Sequence, residues 1–91
     1  MEIIITKGYL KDLRYLPQKV QLQADAALVK LRAAKTLSES GLDITKMESQ
    51  KKDEKFYRIR IGDYRIGIEN LTPKVIVIII CKRGEIYKVF P

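Results

Sequence analysis

The 91-residue sequence contains no histidine. That absence removes the commonest general base at neutral pH and the commonest metal ligand. A Ser-His-Asp triad and a zinc site are both excluded. There is a single cysteine, Cys81. No intramolecular disulfide can form, which fits a reducing cytoplasm. With no histidine to activate it, Cys81 reads as a core residue rather than a nucleophile. Long apolar runs are also missing. Val75 to Cys81 is the longest, far short of the roughly 20 residues that a helix needs to cross a bilayer. No signal peptide is expected, because Glu2 stands where a basic segment should be and the apolar start is brief. No repeat or low-complexity segment divides the chain, so residues 1–91 read as one domain. A chain of this size buries only about 60–65% of its unfolded surface, so its core is thin.

Acidic residues are scarce: 11 against 18 basic ones, a net charge of +7. The excess is uneven. Residues 1–45 carry a net +2 and residues 46–91 a net +5. A basic half points to nucleic acid, an acidic protein or an anionic surface.

What is present is strongly patterned. Residues 56–69, FYRIRIGDYRIGIE, read as two strands joined by Gly62-Asp63, a pair suited to a two-residue type II′ turn. That turn sets Ile61 opposite Tyr64, Arg60 opposite Arg65, Ile59 opposite Ile66 and Arg58 opposite Gly67. Because side chains alternate, Tyr57, Ile59, Ile61, Tyr64, Ile66 and Ile68 share an apolar face. Phe56, Arg58, Arg60, Arg65, Gly67 and Glu69 share the other. Three guanidinium groups on one side of one hairpin oppose local stability, since like charges face each other. Gly67 weakens the strand further and marks close approach of a backbone or ligand. A lone exposed arginine is ordinarily a solvated one. Three beside a glycine read as an anion site.

The remaining chain supports this hairpin. Residues 2–6, EIIIT, form a β-branched strand, and Thr6 can cap the following helix. Tyr9, Leu13 and Leu16 share a face of a helix over residues 7–16. Pro17 opens a second helix to about Lys35, with Val20, Ala24, Ala27, Leu28, Leu31 and Ala34 as its core stripe. Residues 38–54 are a connector, from which Leu42, Ile44 and Met47 can dock onto the core. Lys51, Lys52 and Lys55 precede the arginine face and are candidate phosphate contacts. The run from Val75 to Cys81 lacks alternation, as a central strand covered on both sides does. Lys82, Arg83, Glu85 and Tyr87 then leave it close to the arginine face. Little chain remains for a terminal helix. The expected fold is α+β: an αα-hairpin on one face of a mostly antiparallel four-stranded sheet, in the order β-α-α-β-β-β.

The sequence resembles the RelE/ParE-type toxins of bacterial toxin–antitoxin pairs. The likeness rests on the small basic chain, the element order, the YRIRIGDYRI hairpin and the closing KRGEIYKVF. It spans essentially the whole chain and does not separate the branches of the superfamily. It implies one of two activities. RelE-like members are ribosome-dependent mRNA endonucleases, whereas ParE-like members inhibit DNA gyrase without being enzymes. Both are neutralised by a small antitoxin. The RelE-like pattern matches here at Arg58 and Arg60 on the first hairpin strand, Arg65 on the second, and Arg83 with Tyr87 near the end. Its first pair is more familiar as lysines, and arginine in their place keeps the charge but cannot carry a proton.

RNA cleavage by its own 2′-hydroxyl needs a proton acceptor, charge stabilisation at phosphorus and protonation of the leaving oxygen. Arg58, Arg60, Arg65 and Arg83 suit the second role. Tyr87 is the candidate base if neighbouring arginines favour its phenolate, with Glu85 as the alternative. Phe56 and Tyr87 could stack on an extruded base, and Lys82 could add a phosphate contact. The RelE-like reading predicts a small antitoxin, the ribosome and mRNA as partners, with no membrane, metal or small-molecule cofactor. Gyrase inhibition and plain nucleic-acid binding are the competing readings.

Overall fold

The computed structural model describes residues 1–48 and 55–91. Five strands form one sheet: β1 (Glu2–Ile5), β2 (Ile44–Lys46), β3 (Phe56–Ile61), β4 (Tyr64–Leu71) and β5 (Lys74–Lys82). Their spatial order is β1-β5-β4-β3-β2, with β1 parallel to β5 and every other pair antiparallel. Helices α1 (Lys7–Arg14) and α2 (Gln18–Ala33) connect β1 to the rest, and a single turn, α3 (Ile86–Val89), closes the chain. Among the described residues, no helix is long and apolar enough to cross a membrane.

The hairpin has the register its sequence predicts, with Arg58 opposite Gly67, Arg60 opposite Arg65 and Ile61 opposite Tyr64. Gly62 has φ +62°, the positive value that a primed two-residue turn needs. Ile59, Ile61, Ile66 and Ile68 are buried and meet Val20, Ala24, Ala27, Leu28 and Leu31 of α2 in the main core. Tyr9 of α1 joins them, and Val75, Val77 and Ile80 extend the core along β5. Each apolar side chain buried in this way contributes about 1.5–3 kcal/mol.

Thr6 ties this layer together. Its hydroxyl accepts from the Tyr9 N–H at 3.2 Å, capping α1, and donates to the carbonyls of Val77 and Ile78 at 3.0 and 3.1 Å. It sits where β5 is irregular: Gly67 pairs with Ile79 but Ile68 pairs with Val77, so Ile78 is the extra residue of a bulge. The bulge restores a helix-facing position to Ile80.

Two sequence expectations need correction. The sheet has five strands, because Ile44–Lys46 of the connector pairs with β3, Ile44 lying opposite Ile59. The end of the chain does form a helical turn, and it builds a second small core on the face away from α1 and α2. There Met47, Ile86 and Phe90 are buried against Phe56, Ile78, Ile79 and Cys81. β5 is thus interior to the sheet and apolar on both faces because both faces are covered.

Candidate nucleic-acid interface

The arginines stand on the sheet face opposite the two long helices, beside the second core. Their environments differ sharply. Arg60 is exposed and leans toward Asp43, with Nη1 3.9 Å from the carboxylate. At that separation and exposure the pair adds little stability, but it draws Arg60 away from Arg65 opposite. Arg58 is half-buried, and its guanidinium carbon lies 5.7 Å from the centre of the Tyr87 ring. That is within cation–π range. Arg83 is exposed, and its backbone N–H donates to the Asp63 carbonyl at 2.9 Å, fastening the end of β5 to the hairpin turn.

Arg65, expected on the sequence pattern to share one anion-binding face with Arg58 and Arg60, is itself buried, being only 7% exposed. Its strand neighbours are Arg60 on β3 and Cys81 on β5. Its Nη1 donates to the carbonyls of Gly62 at 2.7 Å and Tyr64 at 2.9 Å. The Tyr9 hydroxyl is, among the described residues, the one fully buried side-chain polar atom that lacks a partner. One end of the Arg65 guanidinium is thus clamped by backbone carbonyls. Burial lowers its affinity for its proton, as do Arg58 and Arg60; Tyr87 opposes them and Arg83 adds to them. An arginine starts high enough to stay charged. Arg58, Arg60, Arg65, Arg83 and Tyr87 thus form one electrostatically coupled group.

They do not all line one concavity, as the sequence suggests. Arg58 and Tyr87 do, with Thr45, Lys46 and Glu48, around a volume of about 270 Å³. A second concavity of about 370 Å³ lies on the other side of Tyr87, lined by Met47, Glu48, Lys88, Phe90 and Pro91. Sequence reasoning missed Thr45, Lys46 and Glu48. The one available signal was the alternation Lys46-Met47-Glu48, in which Met47 is buried and its neighbours exposed.

Phe56 is not an open stacking platform. It is half-buried, and its ring meets Phe90 edge to face at 5.5 Å and 85°. Gly67 does mark a close approach, but of the Phe90 ring rather than of a ligand. Tyr87 is 62% exposed and available for stacking. Glu85 pairs with Lys88 at 3.7 Å. Lys55 is exposed just ahead of β3. Lys82 is exposed but stands opposite Tyr64, on the register of the helix-bearing face. Lys51 and Lys52 lie outside the described residues. Cys81, opposite Arg65, is half-buried in the second core, and burial raises its thiol pKa, followed by Asp12 and Glu85. That is a quiet thiol. Among the described residues, no group of three or more cysteine, aspartate or glutamate side chains is placed to hold a metal ion.

The small basic chain, with its β-α-α-β order and arginine hairpin, has the fold expected of the RelE/ParE-type toxins that the sequence resembles. Residues 3–87 match the family described as the ParE toxin of the type II toxin-antitoxin system, parDE. The chain belongs to this ParE/RelE toxin family. It is 31% identical to Toxin RelE3 of Methanocaldococcus jannaschii over 91 residues, all of both chains. Its fold is similar to a chain in the RelB-RelE antitoxin-toxin complex from Methanococcus jannaschii, with a TM-score of 0.78 and 30% identity, covering 97% of this chain and 99% of that one. It is also similar to a chain in the archaeal RelE-RelB complex from Pyrococcus horikoshii OT3, with a TM-score of 0.71 and 25% identity, covering 91% and 94%.

Proposed function

We propose that this toxin-family chain cuts mRNA on the ribosome, in the cytoplasm, and is held inactive by a small antitoxin. The observation that carries the reading is Arg65: a buried guanidinium fixed by two backbone carbonyls, within electrostatic reach of Arg58 and Tyr87, which contact each other. A cation fixed in advance costs no reorganisation when negative charge develops on phosphorus. Arg58 and Arg83 add charge beside it, and the Tyr87 hydroxyl handles a proton. The Tyr87 ring, exposed and lying under Arg58, offers a surface on which a base can stack. Likeness to chains solved with RelB supports an antitoxin as partner. An acidic or amphipathic segment would neutralise the arginine face.

The matched family is described by its ParE members, which favours gyrase inhibition as the second reading. Purified protein is incubated with translating ribosomes and, separately, with gyrase and supercoiled DNA. Cleaved mRNA with unaffected gyrase is expected. Inhibited gyrase with intact mRNA would replace the first reading by the second, and no effect in either assay would leave a basic nucleic-acid-binding module.

A further inference from the structure

We infer that Glu48 is the general base of the cleavage reaction, an inference that rests on the mRNA-cleavage reading above. Guanidinium groups hold their protons and cannot serve. Glu85 pairs with Lys88 and lines neither concavity at the site. Glu48 lines both, on either side of Tyr87, and shares the first with Arg58. It is exposed and, among the described residues, makes no ion pair. Its position is not arbitrary. The Met47 N–H donates to the Phe56 carbonyl at 2.9 Å and the Met47 side chain is buried in the second core, so the residue before Glu48 is fixed. The concavity thus combines a carboxylate without an ion pair among the described residues, a cation and a phenol.

These groups divide the chemistry. The Glu48 carboxylate takes the proton of the ribose 2′-hydroxyl. The 2′-oxygen attacks phosphorus, and the bond from phosphorus to the 5′-oxygen breaks. Tyr87 gives its proton to that leaving oxygen. The products are a 2′,3′-cyclic phosphate and a 5′-hydroxyl, and solvent returns the proton from Glu48 to Tyr87. Arg58, which lines the same concavity, faces the phosphoryl charge throughout.

A bystander carboxylate would act in the opposite sense. Beside several arginines it repels phosphate, so removing its charge would tighten RNA binding and leave cutting unchanged or faster. The experiment uses the full chain with ribosomes programmed with mRNA, measuring single-turnover cleavage and ribosome binding for wild type, Glu48→Gln and Glu48→Asp. We expect Glu48→Gln to cut about 10²–10⁴-fold more slowly, the usual worth of a positioned base. Its ribosome affinity should be equal or tighter, and Glu48→Asp should keep part of the rate. Wild type that cuts while Glu48→Gln cuts equally fast overturns the assignment of Glu48 alone. Wild type that leaves mRNA intact overturns the cleavage reading, and Glu48 falls with it.

Discussion

The ring of Phe90 occupies the space that a side chain at position 67 would need. A Cβ built on Gly67 would stand 2.9 Å from two Phe90 ring carbons and 2.7 Å from Ile79 Cγ2. Gly67→Ala should therefore destabilise the fold by about 1–3 kcal/mol, the usual cost of overpacking. It should also push out the turn that carries Tyr87 and slow cleavage. Denaturant midpoints and cleavage rates check both. Adding Phe90→Ala should restore part of the stability lost to Gly67→Ala, because the two changes share one contact.

Arg65→Lys keeps the charge and loses the fork. A lysine carries all its donors on one atom, so holding the Gly62 and Tyr64 carbonyls would confine its charge there, without the planar fork that spreads the arginine's charge over three nitrogens. Cleavage should fall by about 10²–10³, as when one preorganised donor is removed. Near-normal cleavage by the lysine variant would show that charge alone suffices.

Tyr87→Phe leaves a ring under Arg58 and removes only the hydroxyl. Ribosome binding should survive while cleavage slows by about 10²–10⁴. A gyrase inhibitor would keep its effect after the same change. Full cleavage by the phenylalanine variant would reduce Tyr87 to a packing partner of Arg58.

Tyr9 gives a prediction about stability and pH. Its hydroxyl is buried without a partner, and burial, aided by Asp25, pushes its pKa up to about 12. An unfolded tyrosine loses its proton near 10. Between those values the unfolded chain sheds a proton that the folded chain keeps, so stability falls as pH rises, by at most about 2–3 kcal/mol. Tyr9→Phe should lose this part of the alkaline slope. At neutral pH it should be as stable as wild type or more so, by up to about 1 kcal/mol, because no unpaired hydroxyl is buried. Urea titrations at several pH values measure both effects.

The hairpin was legible because two independent signals agreed. Strict alternation named the faces, and Gly62-Asp63 fixed the register. The α2 stripe was legible for the same reason, with the positions Val20, Ala24, Ala27, Leu28 and Leu31 all buried. The bulge at Ile78 was not, because every residue from 75 to 80 is apolar and any register buries equally well. Strand β2 and helix α3 span 3 and 4 residues, too few for a period to show. The true neighbour of Gly67 is a ring from more than ten residues further on, and local pattern carries no record of that return. Glu48 was obscured because it stands in a polar stretch.

The strand order gives the molecule a direction in time. β1 is made long before β5, the strand it pairs with, and Tyr87 follows later still. Such distant pairing cannot begin until the late segment exists. A nascent chain that stops before Lys74 lacks an interior strand of the sheet, the lining of the second core and the tyrosine of the site. Whatever chemistry the arginine–tyrosine group performs thus waits until the chain has been made through residue 87.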